Sequence, residues 1–236
     1  MMKKIKINIF ADGADIKSIQ KLNKNILIKG FTTNPTLMKQ SGIKDYLNFA
    51  KTISKIIKKK PISLEVFSDK IQEMEKQALI LSKISKNFNI KIPITNSKGV
   101  STAKLISKLS SNGVVCNVTA IFTFNQIKDV MKLLPKNTKI ILSIFAGRIA
   151  DSGNDPEILL RKIKKYLKGY KNVKLLWAST REVFNIFQAE RSGCDIITVP
   201  YGILSKLKFV GKSQKKFSLE TVKMFKEDAE KAGFKI

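Results

Sequence analysis

"NFNIKIPITNSKG", residues 87–99, places a lysine among isoleucines in a way that bears on the whole fold. Phe88, Ile90, Ile92 and Ile94 fall on one side of a period-two pattern, and Asn89, Lys91, Pro93 and Thr95 on the other. Successive side chains of an extended chain point to opposite faces, so a strand here turns Lys91 away from its apolar neighbours. Similar runs recur at "IKINIFA" (5–11), "LIKGFTT" (27–33), "ISLEVF" (62–67), "VVCNVT" (114–119), "KIILSIF" (139–145), "VKLLWAS" (173–179) and "DIITVP" (195–200). With "NIKIPI" (89–94) these make eight candidate strands. Helical patterns such as "TLMKQSGIKDYLNFAKTISKIIK" and "DPEILLRKIKKYLKGY" separate them, and a long C-terminal helix is expected over about 218–233. Asp15, Asp69, Ser97, Asp155 and Thr180 are the candidate helix caps, with Gly113, Gly169 and Gly193 at helix ends.

Eight strands alternating with helices over 236 residues predict one right-handed, all-parallel (β/α)8 TIM barrel spanning 1–236. The competing architecture is an open doubly wound sheet, but no glycine-rich dinucleotide fingerprint follows an early strand. Apolar residues make up 43% of the chain, and no apolar run approaches the roughly 20 residues that span a bilayer. The N-terminal lysines lead into an alternating strand rather than an unbroken apolar core, unlike a secretory signal. Cys116 and Cys194 lie far apart without metal-ligand spacing, which suits a reducing cytoplasm.

The charge is unusual: 45 Lys and Arg against 18 Asp and Glu leave +27, enough to attract polyanions without specificity. The lysines are spread over almost every candidate helix, as in "KTISKIIKKK" and "RKIKKYLKGYKNVK", and read as solvated helix faces. Neither a membrane nor a specific nucleic-acid partner is therefore expected. A polyanion-binding barrel without catalysis is the competing reading from another functional class.

In a barrel, alternate strand residues point into the lumen, and chemistry collects at the C-terminal strand ends. Parity then places Asn8, Phe10 and Asp12 inward from the first strand, and Ser63, Glu65 and Phe67 from the third. The fourth leaves Lys91 and Thr95, the fifth Asn117 and Thr119, the sixth Ser143 and Phe145, and the seventh Trp177 and Ser179. The lumen thus collects one lysine with two carboxylates. A structural ion pair of Lys91 with Asp12 or Glu65 is the plain reading, since buried charges must be paired. The catalytic reading is that desolvation frees an amine to attack a carbonyl and form a Schiff base. The chain has no histidine, so carboxylates, hydroxyls and water must carry the protons. The same lack argues against a zinc-dependent aldolase, and neither a metal nor a cofactor is expected.

Arginine occurs at four positions only: Arg148, Arg161, Arg181 and Arg191. Arg148 and Arg181 follow the sixth and seventh strands, where barrels often hold a substrate phosphate that a planar guanidinium grips bidentately. The alternative is a rim salt bridge, to Asp151 or Glu182. Arg161 and Arg191 read as solvated helix residues.

These strand ends resemble the transaldolase family, in the short subfamily that includes the fructose-6-phosphate aldolases. The resemblance runs over nearly the whole chain: "FADGAD", "GFTTNPTL", "LEVF", "IKIPIT", "CNVTAIFTFNQ", "SIFAGRIAD", "WASTR" and "GCDIITVP", one match per strand. It implies a barrel of the class I aldolase type, with Lys91 as the Schiff-base lysine and Asp12 as the acid/base for carbon–carbon cleavage. Glu65 and Thr119 would hold the proton-relaying water. Asn34 and Asn117 would bind sugar hydroxyls, with Thr33 and Ser143 nearby, while Arg148, Ser179 and Arg181 would bind the phosphate of a sugar phosphate substrate. Members that release free dihydroxyacetone tend to carry Gln at the position of Glu65 and Tyr at that of Phe145, so both positions look like the transaldolase type. Short relatives also lead us to expect a homo-oligomer, with the C-terminal helix covering a neighbour. Two departures stand out: Lys98 where a glutamate is usual, and "FADGAD" where "LDT" is common.

Overall fold

The computed structural model describes residues 5–236. Among these are eight strands: β1 (Asn8–Asp12), β2 (Ile28–Thr32), β3 (Ile62–Glu65), β4 (Phe88–Pro93), β5 (Cys116–Ile121), β6 (Ile140–Ile144), β7 (Val173–Trp177) and β8 (Ile196–Pro200). All pair in parallel in chain order, and β8 returns to β1, closing the barrel. Parallel neighbours need helical crossovers, which here are α1 (Ile16–Asn23), α2 (Pro35–Gln40), α3 (Tyr46–Ile56), α4 (Ile71–Ile84), α5 (Ala103–Ser111), α6 (Phe124–Leu133), α7 (Ala146–Asp151), α8 (Pro156–Tyr166) and α9 (Phe184–Arg191). A short α10 (Tyr201–Leu204) and a long α11 (Gln214–Ala232) follow β8. The predicted (β/α)8 barrel is the fold observed. Among the described residues no helix is long and apolar enough to cross a membrane.

Burial on both faces of the strands gives two apolar regions. The larger lies between sheet and helices, where Ile9, Phe31, Leu64, Ile90, Ile92 and Leu142 meet helix residues such as Ile53, Met74 and Ile106. The smaller fills one side of the lumen with Phe10, Ile141, Leu176, Ala178 and Ile196. Gly30 makes room for it, since a Cβ there would stand 2.6 Å from the Phe10 ring.

Several local expectations change. The long pattern after β2 splits into α2 and α3, because Gly42 takes a left-handed φ of 68° and Asp45 caps a new helix through the Asn48 amide. Asp15 and Asp155 do cap α1 and α8. Asp69 and Ser97 instead satisfy each other across two loops, with the Ser97 amide donating to Asp69 at 2.6 Å. Thr180 donates to the Thr198 carbonyl at 2.7 Å rather than capping α9. α11 starts at Gln214, behind a Ser213 cap, a few residues earlier than expected.

Inward parity holds for most strands but not for the seventh. Trp177 packs in the outer core, while Leu176 and Ala178 face the lumen; Ser179 reaches the mouth through a left-handed φ of 65° that interrupts the alternation. Phe67 lies past the end of β3, 61% exposed, against the Tyr46 ring. Asn8 sits at the foot of β1, donating to the Asp195 carbonyl.

Arg161 and Arg191 are more than solvated helix residues. Both hold Glu157, a carboxylate only 4% exposed, with Arg161 Nη2 at 2.7 Å and Arg191 Nε at 2.8 Å. Gln188 adds a third donor at 3.1 Å. A carboxylate buried at the α8 start needs such partners. The Arg191 hydrogen bonds, above all, pull its pKa down to about 2 from 4.5. A depressed carboxylate pKa stabilises the fold above the unfolded pKa and loses that contribution as pH falls toward the folded one. Glu157→Gln should therefore cost about 1.5–3 kcal/mol at neutral pH. Thermal denaturation followed by circular dichroism should show the gap to wild type closing as pH drops from 4.5 toward 2; a gap independent of pH would refute the assignment.

Candidate active site

Parallel register, more than any one residue, assembles the mouth of the barrel. Glu65 of β3 pairs with Lys91 of β4, and Lys91 with Asn117 of β5, so three polar side chains stand side by side on the lumen wall. Lys91 is 7% exposed, with Nζ 2.7 Å from Glu65 Oε2 and donating to the Thr33 carbonyl, also at 2.7 Å. Across the lumen, Asp12 ends β1 beside Thr32. The Thr32 hydroxyl donates to Asp12 Oδ1 at 2.6 Å and touches the hydroxyl of Thr198. Burial raises the Asp12 pKa above its ordinary 3.8, against the opposing pull of Lys91 and the Thr32 hydrogen bond.

Further round, Ser143 donates to Asn117 Oδ1 at 2.6 Å, and Asn117 Nδ2 donates to Ser63 Oγ at 3.1 Å. This chain orients the amide. The Thr119 hydroxyl is buried and has no partner among the described residues. Next to it, Ala120 takes a left-handed φ of 57° where the β5–β6 register shifts, an irregularity of the kind that re-aims side chains at barrel rims.

At the rim, α7 brings Arg148 toward the end of β7. A Cβ on Gly147 would fall 1.6 Å from the Ser179 carbonyl oxygen, so only glycine permits this approach. Arg181 donates from Nε to both oxygens of Asp151 at 3.1 Å, the rim salt bridge weighed as the alternative. Both side chains are about half exposed, 49% and 51%, and open to exchange. Arg148 makes no ion pair among the described residues.

These groups surround one cavity of about 440 Å³ at the C-terminal end of the strands. Asp12, Asn34, Glu65, Lys91, Asn117, Thr119, Ser143, Phe145, Arg148, Ser179 and Arg181 all line it. Thr33 does not: its hydroxyl donates to the Ser63 carbonyl, and it meets Lys91 through its own carbonyl. Asn34 Oδ1 caps α2 at the Leu37 amide. Lys98 is exposed on the loop after β4 and does not line the cavity.

Three contributors went unnoticed in the sequence. Thr198 was accessible to the parity argument, lying between outward Ile197 and Val199 of β8, while Thr32 follows outward Phe31 but precedes the polar Thr33. Tyr46, which donates to the Glu65 carbonyl at 2.7 Å, reaches it from α3 and left no local signal.

Fold and cavity define the class, a (β/α)8 barrel with a lysine and two carboxylates in one cavity at the C-terminal end of its strands. A family profile described as "Transaldolase/Fructose-6-phosphate aldolase" matches residues 9–236. The chain belongs to the transaldolase/fructose-6-phosphate aldolase family. It is 34% identical to a "Probable transaldolase" of Thermoanaerobacter sp. (strain X514) over 98% of this chain and 100% of that one. It is also 34% identical to a "Probable transaldolase" of Methanococcus vannielii, over 85% of this chain and 89% of that protein. Among solved structures it is similar in fold to one described as "Native KDPGal structure", with a TM-score of 0.58, 13% identity and coverage of 98% and 100%. A 2,3-dimethylmalate lyase gives a TM-score of 0.56 at 12% identity, covering 98% of this chain and 84% of the lyase.

The raised Asp12 pKa has a stability consequence. Between 3.8 and the raised value, the folded protein keeps a proton that the unfolded chain has released, so stability falls as pH rises through that window. Asp12→Asn removes this dependence. The melting temperature of the variant relative to wild type should rise between about pH 3 and about pH 7; a relative melting temperature that stays flat or falls would contradict the burial argument.

Proposed function

We propose that this protein is a metal-independent cytoplasmic transaldolase that moves a dihydroxyacetone unit from sedoheptulose 7-phosphate to glyceraldehyde 3-phosphate. The products are erythrose 4-phosphate and fructose 6-phosphate, a step of the pentose phosphate pathway. The observation that carries the proposal is the Lys91 amine, enclosed in the barrel 2.7 Å from Glu65 and in one cavity with Asp12. Glu65 takes a proton from Lys91, and the neutral amine adds to the ketose carbonyl carbon. Loss of water, relayed through Glu65 and the unpartnered Thr119 hydroxyl, gives a protonated imine. Asp12 then removes the proton from the hydroxyl on the carbon β to the iminium carbon, that oxygen forms the aldehyde carbonyl as the bond between the α and β carbons breaks, and the aldose leaves. The electron pair left on the three-carbon unit is drawn into the iminium. The acceptor aldehyde takes up that pair, Asp12 returns the proton to the new alkoxide, and water adds to the iminium carbon to release fructose 6-phosphate and the Lys91 amine.

Asn34, Asn117 and Ser143 bind the sugar hydroxyls, with the Thr33 carbonyl holding the lysine. Arg148 and Ser179 receive the phosphate, and Arg181 leaves Asp151 to complete a bidentate grip. Glu65 and Phe145 favour transfer over release of the three-carbon unit. Borohydride added with fructose 6-phosphate should trap a covalent adduct on Lys91 that Lys91→Met abolishes. Peptide mapping that finds the adduct elsewhere would sink the mechanism. Rapid release of free dihydroxyacetone without an acceptor would sink the transferase reading alone.

We also propose a homo-oligomer assembled through α11. None of its side chains is buried, and Phe217, Leu219, Val222 and Phe225 are 41–63% exposed, apolar surface that a second copy would cover. Light scattering after gel filtration should give a multiple of the single-chain mass, reduced by Val222→Glu with Phe225→Glu. A monomeric wild-type chain would rule this out.

A further inference from the structure

Two concavities adjoin at the end of the barrel opposite the candidate active site, formed by the turns that lead into β6, β7 and β8. Their volumes are about 570 and 510 Å³, and they share Gly169, Tyr170 and Lys171. One is lined by Arg161, Lys164, Lys165, Lys168, Lys171 and Arg191. The other adds Lys136. None of the described residues lining either one carries a carboxylate.

Helix electrostatics accounts for part of this cluster. Lys164 and Lys165 lie in the last turn of α8, where cations are favoured, and Glu157 and Asp195 engage Arg161, Arg191 and Lys164. It leaves Lys136, Lys168 and Lys171 unexplained. These lie in turns, and with Lys165 they have no ion-pair partner among the described residues. An aromatic ring stands among them. Tyr170 is 48% exposed on the segment shared by both concavities, and its ring lies stacked on Tyr166 at 6.4 Å and 29°. Gly169, at a φ of 101°, makes the turn that precedes it.

We propose that this groove binds single-stranded nucleic acid without sequence preference, with phosphates along the lysines and a base on Tyr170. A basic groove interleaved with an exposed aromatic ring is what single strands require, because every base offers a face for stacking while the backbone needs only charge. An anionic membrane would be met better by a flat basic face than by a concavity around a ring. The bound strand would lie at the far end of the barrel from Lys91, so catalysis and binding coexist.

The test is fluorescence anisotropy of a labelled oligouridylate of about 20 nucleotides, titrated with the full chain across a range of salt. The logarithm of the wild-type association constant should fall linearly with log salt. K165E/K168E/K171E should lose at least about tenfold at low salt and flatten the slope by about 2, while K51E/K55E/K58E, the same charge change on and beside α3, should keep most of the affinity. Y170A should weaken binding by roughly tenfold with the slope unchanged, and it decides the matter alone if the triple variant does not fold. All these variants should retain turnover. The proposal is overturned if wild type does not bind the oligouridylate, or if the α3 control loses as much as the groove variant. It is equally overturned if the groove variants lose binding to phosphatidylserine vesicles but not to the oligouridylate.

Discussion

The Lys91 ammonium and the Glu65 carboxylate meet at 2.7 Å because β3 and β4 run parallel with these two residues in register. A buried ion pair is costly in itself: desolvation of two charges commonly offsets or exceeds their attraction. The barrel holds it because the same strands send Leu64, Ile90 and Ile92 outward into a closed apolar shell, whose burial is the dominant favourable term. Closure leaves no sheet edge along which the register could slip. The pair and the shell are two faces of one alternation.

The four arginines divide between two kinds of work. Arg161 and Arg191 hold the buried Glu157 at the start of α8, where a carboxylate needs donors and the fold needs the anchor. Arg148 and Arg181 stand at the rim of the cavity, one without a carboxylate partner among the described residues and the other paired with the half-exposed Asp151. Lysine could supply charge at any of these positions, but not a planar fork that engages two oxygens at once. Gly147 links the two rim positions, because it alone lets α7 rest on the backbone of Ser179.

Polarity along the barrel axis separates roles in the same way. The C-terminal end gathers lysine, carboxylates and hydroxyls around one cavity, and the N-terminal end gathers lysines around Tyr170. Much of the +27 charge is spread over helix faces, as the sequence suggests, yet the turns before β6 and β7 gather Lys136, Lys168 and Lys171 at the end of the barrel opposite that cavity.

By itself the sequence determined the number of strands, their direction into a barrel, and most of the inward residues, because period-two alternation is a local property that an isolated segment displays. Lys91, Glu65, Asp12 and Asn117 were legible for that reason, and strand-end motifs carried the family. Only the tertiary structure decided which of two carboxylates pairs with the lysine, that Thr33 acts through its carbonyl, and that Trp177 turns outward while Ser179 turns in. It alone joined Arg161 and Arg191 to Glu157, brought Tyr46 beneath Glu65, and set Tyr170 among lysines from separate turns. Those outcomes depend on register, on left-handed residues that break alternation, and on contacts between segments distant in the chain, none of which a periodic pattern encodes.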